Sequence, residues 1–484
     1  LLLLMLAAAV LDILPVARRR LSPADWWQEE RLMFTPHGAR WREKYGQWAF
    51  LLGVMVYEFI VVFNNSMARE TWPWLQTQLS PVLDWVMYLC FGWKILLGTR
   101  YNGRSLLCAG MLYFVARWVY FNGQNIWWIG LCVALLAAKD VPLRRAVKAQ
   151  LLCGVPTLAL VEVLHAAGIV APNPFVEING KLRRIYGYGH PNTFGGVVFG
   201  LVLAWVLLRR EKLRWAELGG IAAVGVFLMI GPPSRSPAIG IFLLVALLAL
   251  AKLCTRKGPR PGSRLLAVGC AAVVPLVAAI SYILPLLGPW ANENGPAWLE
   301  KLNDMLTGRI WLSWLAYNAF DIKIAGQLLT VWPAPENIDN IFVYLLYQVG
   351  PVMLALVCIL LMVALYGYAR RGAWQAVACL ITALAYGYME TQVIHLTSDP
   401  ATLLLCGAVF AVSLGGNLHR GHVQSLGAGL GGGDKPGYLA GGLLQQVGTH
   451  RFGLVDQQHA VGIVLAGGKL RAEHRPLFHG LALV

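Results

Sequence analysis

The sequence predicts an all-α fold, a polytopic transmembrane helix bundle of about 12 spans, on three observations. Of the 484 residues, 57% are hydrophobic and only 13% are charged, where a soluble domain averages roughly 45–50% apolar and about 25% charged. The apolar residues come in runs close to the roughly 20 residues that cross a bilayer. The basic residues fall between those runs, as in "RRR" (Arg18–Arg20), "RREKLR" (Arg209–Arg214) and "RKGPRPGSR" (Arg256–Arg264). That pattern marks cytoplasmic loops, so the net charge of +16 speaks for membrane topology and against nucleic acid as a partner. The nine cysteines form no CxxC pair and lie mostly inside apolar runs. They read as small buried hydrophobes, giving neither a disulfide framework nor a zinc site.

The predicted spans, in order, are 47–63, 81–97, 105–121, 125–138, 149–166, 191–208, 217–231, 237–251, 265–287, 341–368, 372–389 and 400–414. Residues 1–414 thus form the membrane domain. No basic residue precedes the apolar start "LLLLMLAAAVLDILP", as a signal peptide would require. Residues 1–15 therefore read as the end of a span in a chain incomplete at its N-terminus. Residues 415–484 are Gly-rich without sustained periodicity and read as a disordered tail or the product of a shifted frame.

Charge orients the bundle. With the loop at 16–46 inside, the inner loops hold 24 Lys and Arg and the outer loops 8, the bias expected of inner loops. The few outer basic residues then want a reason. The longest connection, 288–340, is outside. Within it Trp298–Met305 and Arg309–Phe320 carry apolar residues at helical spacing, which predicts amphipathic helices at the outer interface.

Five polar groups land on this outer face. In "YGYGHPNTFGG" Pro191 suits the first turn of a helix, so the span begins beside His190 and Asn192 with its amide groups facing outward. Such an end attracts anions; capping and packing are the plainer role for His190. Arg235 sits in the tight turn "GPPSRSPAIG", where it either snorkels to headgroups or serves a site. In "TGRIWLSW" Thr307 or Asp304 could cap a helix with Arg309 in its first turn. A cation there opposes the helix dipole, so a carboxylate or a ligand must offset it. "ENIDNIFVYLLYQVG" supplies Glu336, Asp339 and Asn340 before a long span, with helix capping the plainer role for Asp339. "GYMETQVIHLTSDP" supplies Glu390 and His395, which could also be solvated loop residues. Arginine grips phosphate bidentately, and a facing carboxylate can act as a base. Together these residues suit a diphosphate-linked donor whose lipid tail lies in the membrane.

The succession "GHPN", "SRS", "TGR" and then "DN" ahead of "YQVG" resembles the O-antigen ligase and polymerase superfamily, and its polysaccharide polymerases most closely. The likeness covers about residues 183–400. It implies a membrane glycosyltransferase of the GT-C type in the bacterial plasma membrane, using no metal, cofactor or nucleotide sugar. The implied donor is a glycan on undecaprenyl diphosphate at the outer leaflet, with other polysaccharide-assembly proteins as partners. Arg235 and Arg309 match family arginines that contact the diphosphate. Asp339 stands where the family's ligases carry a catalytic His directly before an Asn, which implies a polymerase with Asp339 as general base. The remaining candidate contacts to donor or glycan are His190, Asn192, Asn340 and Glu390. A ligase acting on a lipid A core is the alternative. A transporter or flippase is the rival of another class, and would need polar groups and broken spans near the midplane.

Overall fold

The structure, a computed structural model, describes residues 31–32, 39–123, 126–171, 173–178, 181–255, 261–292, 295–306, 308–329 and 338–413. All fall within one of the chain's two compact units, Leu1–Gly432. The expectations for residues 1–15, for Thr307, for Glu336 and for 415–484 lie outside the described residues.

Helices dominate. They are α1 (Ala39–Asn64), α2 (Ser80–Leu97), α3 (Gly103–Gly123), α4 (Ile126–Ala137), α5 (Leu143–Ala166), α6 (Pro191–Arg209) and α7 (Trp215–Ile230). Then follow α8 (Arg235–Cys254), α9 (Arg264–Ile283), α10 (Ala297–Met305), α11 (Arg309–Ala319), α12 (Pro351–Arg370), α13 (Trp374–Met389) and α14 (Leu405–Ser413). Among the described residues two small antiparallel strand pairs depart from a purely helical chain: β1 (Arg31–Leu32) with β2 (Arg100–Tyr101), and the hairpin β3 (Phe175–Ile178) with β4 (Lys181–Arg184).

Among the described residues seven helices are long and apolar enough to cross a membrane: Glu43–Asn64, Leu75–Leu97, Leu143–Ala166, Pro191–Arg209, Arg235–Cys254, Arg264–Ala291 and Pro351–Arg370. Four more apolar helices, including α7 and α13, are shorter. The larger figure of about 12 rests on the sequence alone. Along α3, Arg117, Tyr113, Tyr120 and Asn122 dilute an otherwise apolar run, and α3 is not among the seven. The helices leave large apolar side chains uncovered, among them Trp85, Leu89, Phe121, Ile230 and Leu265. A soluble monomer rarely exposes so much apolar surface; a bundle set in lipid does so as a rule.

The predicted span at 341–368 is broken. A helical turn at Ile341–Tyr344 widens into a π-turn at Leu345–Val349, and α12 starts afresh at Pro351. Gly350 joins them at φ +88° with Ile324 O and Gly326 N packed against its α-carbon, a place only glycine fills. Hydropathy cannot register this break, because a single Gly-Pro pair hardly lowers the mean of an apolar window.

Helix α6 is the centre of the bundle. Of its apolar window 72% is buried, against 17% for Arg264–Ala291. It packs on α5 and α8; α5 packs on α1, and α8 on α7 and α13. Between α13 and α14 the chain does not simply turn. Residues 390–404 run as two short 3-10 helices joined by a turn at 395–398, where the Ser398 and Asp399 amides donate to the His395 carbonyl. That turn meets α6 at Gly200, where a Cβ would overlap the Thr397 carbonyl oxygen. Thr397 Oγ1 donates to Glu58 Oε2 at 2.8 Å, and Gln150 Nε2 donates to the Leu396 and Thr397 carbonyls at 3.1 and 3.3 Å. The Leu396 amide donates to the Tyr57 hydroxyl at 3.2 Å. Backbone outside a helix is tolerated at such depth only when protein groups satisfy it. Gly200→Ala should therefore force the segment off α6 and cost about 1–3 kcal/mol, seen as a lower unfolding temperature in detergent; an unchanged temperature would show the contact to be slack.

Residues 284–319 form a lesser cluster. Ala291, Leu299 and Ile310 pack with Leu284, Leu287, Leu302 and Leu306, so α10 and α11 share an apolar face of their own, within one residue of the boundaries read from periodicity.

Candidate functional site

Four chain segments bring their polar residues together around one arginine. The first is the start of α6. Pro191 occupies its first turn, and His190 is the N-cap with extended φ −143° and ψ 141°. His190 Nδ1 accepts the Asn192 amide at 3.1 Å, so the neutral ring carries its proton on Nε2. Burial, then the charges of Arg183 and Arg309, hold the imidazole below its ordinary pKa, which agrees with that neutral form. Asn192 then reaches across the bundle. Its Nδ2 donates to Glu390 Oε1 at 2.7 Å, and its Oδ1 accepts from Ser234 Oγ at 2.9 Å. Because Gly195 has no Cβ, the turn carrying Ser234 and Pro237 lies directly on α6.

The second segment is the start of α11. Gly308 is its N-cap at φ +79°. Asp304 does not cap it, and the expectation for Thr307 lies outside the described residues. Asn303 caps it from the end of α10, its Oδ1 accepting the Ile310 and Trp311 amides at 3.2 and 3.4 Å. Arg309 follows as the first helical residue and is only 5% exposed. All of its nitrogens are engaged: Nε donates to Met389 O at 2.6 Å, Nη1 to Leu306 O at 3.0 Å and Nη2 to Glu390 Oε1 at 2.7 Å. Nη2 also lies 3.4 Å from Asp339 Oδ2. A cation at a helix N-terminus is unfavourable alone, and two carboxylates offset it here.

Glu390 and Asp339 come from the last two segments, and their surroundings differ. Glu390, at the end of α13, is a buried carboxylate hydrogen-bonded by Arg309, Asn192 and Ser236 and not a solvated loop residue. Asp339 keeps 31% of its side-chain exposure and has no capping role. The cap before Ile341 is Asn340, whose Oδ1 accepts the Phe342 and Val343 amides at 3.0 and 3.4 Å. Asn340 is thus buried, with its Oδ1 occupied in capping. Burial raises the pKa of both carboxyl groups and the Arg309 charge opposes the rise; for Glu390 the Asp339 charge adds to it.

Arg235 begins α8, is exposed, and has no carboxylate partner among the described ion pairs. Arg183, on β4, lies close enough that the Arg235 charge, after burial, lowers its pKa. Sequence reasoning passed over Arg183. The available signal was the "RR" of the loop at 167–190, one of the few basic clusters on the predicted outer side. His395 is half-buried within the 390–404 segment.

The site is therefore layered. Arg183, Arg235 and the His190 ring form a basic rim at the amide end of α6; beneath it lie a buried carboxylate, a fully engaged arginine and one partly open carboxylate. Such a set can hold an anion at the rim and take a proton at Asp339. Among the described residues no group of three or more His, Cys, Asp or Glu is placed to hold a metal ion. Comparison with protein families, with curated proteins and with solved structures gives no match.

Proposed function

We propose that this chain is a membrane glycosyltransferase of the outer leaflet that polymerises oligosaccharide repeat units carried on undecaprenyl diphosphate. One observation carries the reading: Asp339, a carboxylate with open surface, is linked through Arg309, Glu390 and Asn192 to the amide end of a long apolar helix, where the basic rim lies. The order of the "GHPN", "SRS", "TGR" and "DN" motifs supports the same conclusion.

The reaction follows from the chemistry of the donor. The acceptor hydroxyl oxygen attacks the anomeric carbon as the bond from that carbon to the diphosphate oxygen breaks. The electron pair leaves with the diphosphate, and the hydroxyl proton passes to Asp339. Direct displacement inverts the anomeric centre. Leaving-group charge is met by Arg183, Arg235 and the α6 amides, since preorganised donors outside bulk water stabilise developing charge best. Arg309, held by four partners, is a positioning residue: it fixes Glu390 and Asp339 and leaves the clamp to the rim. A carboxyl group raised by burial is a competent base near neutral pH. In the polymerase the acceptor is a second lipid-linked repeat; aspartate at the position of the ligase histidine favours that acceptor over a lipid A core.

The test is elongation in proteoliposomes with a synthetic undecaprenyl-diphosphate oligosaccharide, read as a product ladder. Arg235→Gln and Arg183→Gln should each lower turnover about 10²–10³-fold, the usual effect of losing one charge-stabilising donor. Full ladders from both variants would remove the clamp, and no ladder from wild type with any lipid-linked donor would remove the function.

Carriage of a polar substrate across the bilayer is a second reading, and the Glu58, Gln150 and Thr397 cluster beside the broken 390–404 segment favours it, as polar groups and broken helices near the midplane mark transporters. Two facts weigh against it. The cluster's hydrogen bonds hold the segment's own backbone, and α6 meets that segment at Gly200 with no space between. Flux of the lipid-linked glycan without elongation would reverse the preference.

A further inference from the structure

A second region lies far from this site. Helices α1, α2 and α5 enclose an open cavity of about 1270 Å³, beyond the roughly 300–1,000 Å³ of an ordinary small-molecule pocket. Its walls are apolar: Leu51, Leu52 and Met55 from α1, Leu89 from α2, Leu152 from α5. Trp48 and Trp93 stand toward one end, and there Lys44, Arg145 and Lys148 converge.

We propose that this groove binds an anionic phospholipid, its phosphate on Lys44, Arg145 and Lys148 and its acyl chains along the apolar walls. Charge complementarity selects that occupant. Among the described residues no acid lines the cavity, and the acids nearest in sequence are already paired, Glu43 with Arg100 and Asp140 with Lys139. Arg145 Nη1 donates at 2.6 Å to Gln47 Oε1, a neutral amide that orients the guanidinium without cancelling its charge. Among the described residues, therefore, no carboxylate compensates the three positive charges at the polar end of this apolar groove. Basic pockets between membrane helices hold anionic headgroups, and Trp at the same level suits the water–lipid boundary.

The groove is distinct from the site described above. Arg145 and Lys148 stand in the first turns of α5, whose 24 residues span about 36 Å at 1.5 Å per residue. The chain reaches His190 only after α5 has ended. The two basic regions thus lie at opposite ends of the bundle, and the proposal holds whatever the chemistry at Asp339.

Native mass spectrometry of the delipidated full chain tests it, with phosphatidylglycerol and phosphatidylcholine of identical acyl chains titrated separately. Wild type should retain one phosphatidylglycerol with a clear preference over phosphatidylcholine. The triple variant Lys44→Gln, Arg145→Gln, Lys148→Gln should lose about 100-fold in that preference, since each cation near an anionic headgroup contributes several-fold. Leu52→Trp, which fills the groove and leaves the cations in place, should lose both lipids. Equal retention of the two lipids by wild type would overturn the proposal, as would an unchanged preference in the triple variant. Tight binding of glycerol 3-phosphate alone, or a retained peptide in place of lipid, would also overturn it.

Discussion

Arg309→Met should cost about 3–5 kcal/mol of stability, the usual result of removing one partner from a buried ion pair, and should abolish elongation. The cost arises from what is left behind. Glu390 would remain buried with its charge opposed only by the Asn192 amide and a serine hydroxyl, close to a second carboxylate. The Met389 carbonyl would lose its side-chain donor as well, and the Leu306 carbonyl would keep only the residue-309 amide. Arg309→Lys keeps the charge but not the planar fork: one ammonium cannot meet two backbone carbonyls and two carboxylates in these directions. It should insert and fold, yet lose most turnover. Structural and functional contributions separate in the double variant Arg309→Met, Glu390→Gln. Removing both charges should restore much of the unfolding temperature, because an ion pair replaced as a unit is often neutral in stability. Activity should stay lost, since nothing then orients Asp339. Thermal unfolding in detergent and ladder formation are the two measurements. Recovery of elongation in the double variant would show that Arg309 serves the fold alone.

How much of this was legible in the sequence depends on the range of the interaction. The starts of α6, α10 and α11 could be read because Pro191 and the helical spacing of apolar residues act locally. The sidedness of the motifs placed Arg309, Asp339 and Glu390 near one another, and they do meet within 3.4 Å. What each one does there could not be read. Whether Arg309 is free for a ligand or consumed by Met389, Leu306, Glu390 and Asp339 depends on residues up to 81 positions away. Which of Asp339 and Asn340 caps the following helix is a choice between neighbours that both cap well, and tertiary packing makes it. The break at Gly350 and the 390–404 segment were hidden for another reason: hydropathy averages over windows, whereas backbone direction turns on one or two residues. Arg183 was hidden because the β3–β4 hairpin, and not a helix end, brings it to the rim.

The Asn340 cap sharpens the decisive experiment, on Asp339. Had Asp339 capped the helix at Ile341, Asp339→Asn would have preserved the cap and Asp339→Ala would have cost about 0.5–2 kcal/mol. Since Asn340 supplies both capping hydrogen bonds, either substitution should leave the helix intact. The 3.4 Å contact with Arg309 is the looser of that arginine's two carboxylate contacts, so the unfolding temperature should move little. Loss of the proton acceptor is another matter. General base catalysis is worth about 10²–10⁴ in rate, and Asp339→Asn should lose that much in turnover while still binding donor. Asp339→Glu should keep a part of it, and Asp339→His, which restores the ligase residue, another part. The pH profile gives an independent check. Burial raises the Asp339 pKa more than Arg309 lowers it, and the base works only when deprotonated. Wild-type turnover should thus rise with pH through a midpoint above the ordinary carboxylate value of about 3.9 and fall away on the acid side. In Asp339→His the acid limb should move toward the imidazole range near 6.5. An acid limb at the same pH in both proteins, or normal turnover by Asp339→Asn, would place the base elsewhere. His190 would then be the next group to examine: with its proton on Nε2, it can act as a base only if Nδ1 releases the Asn192 amide.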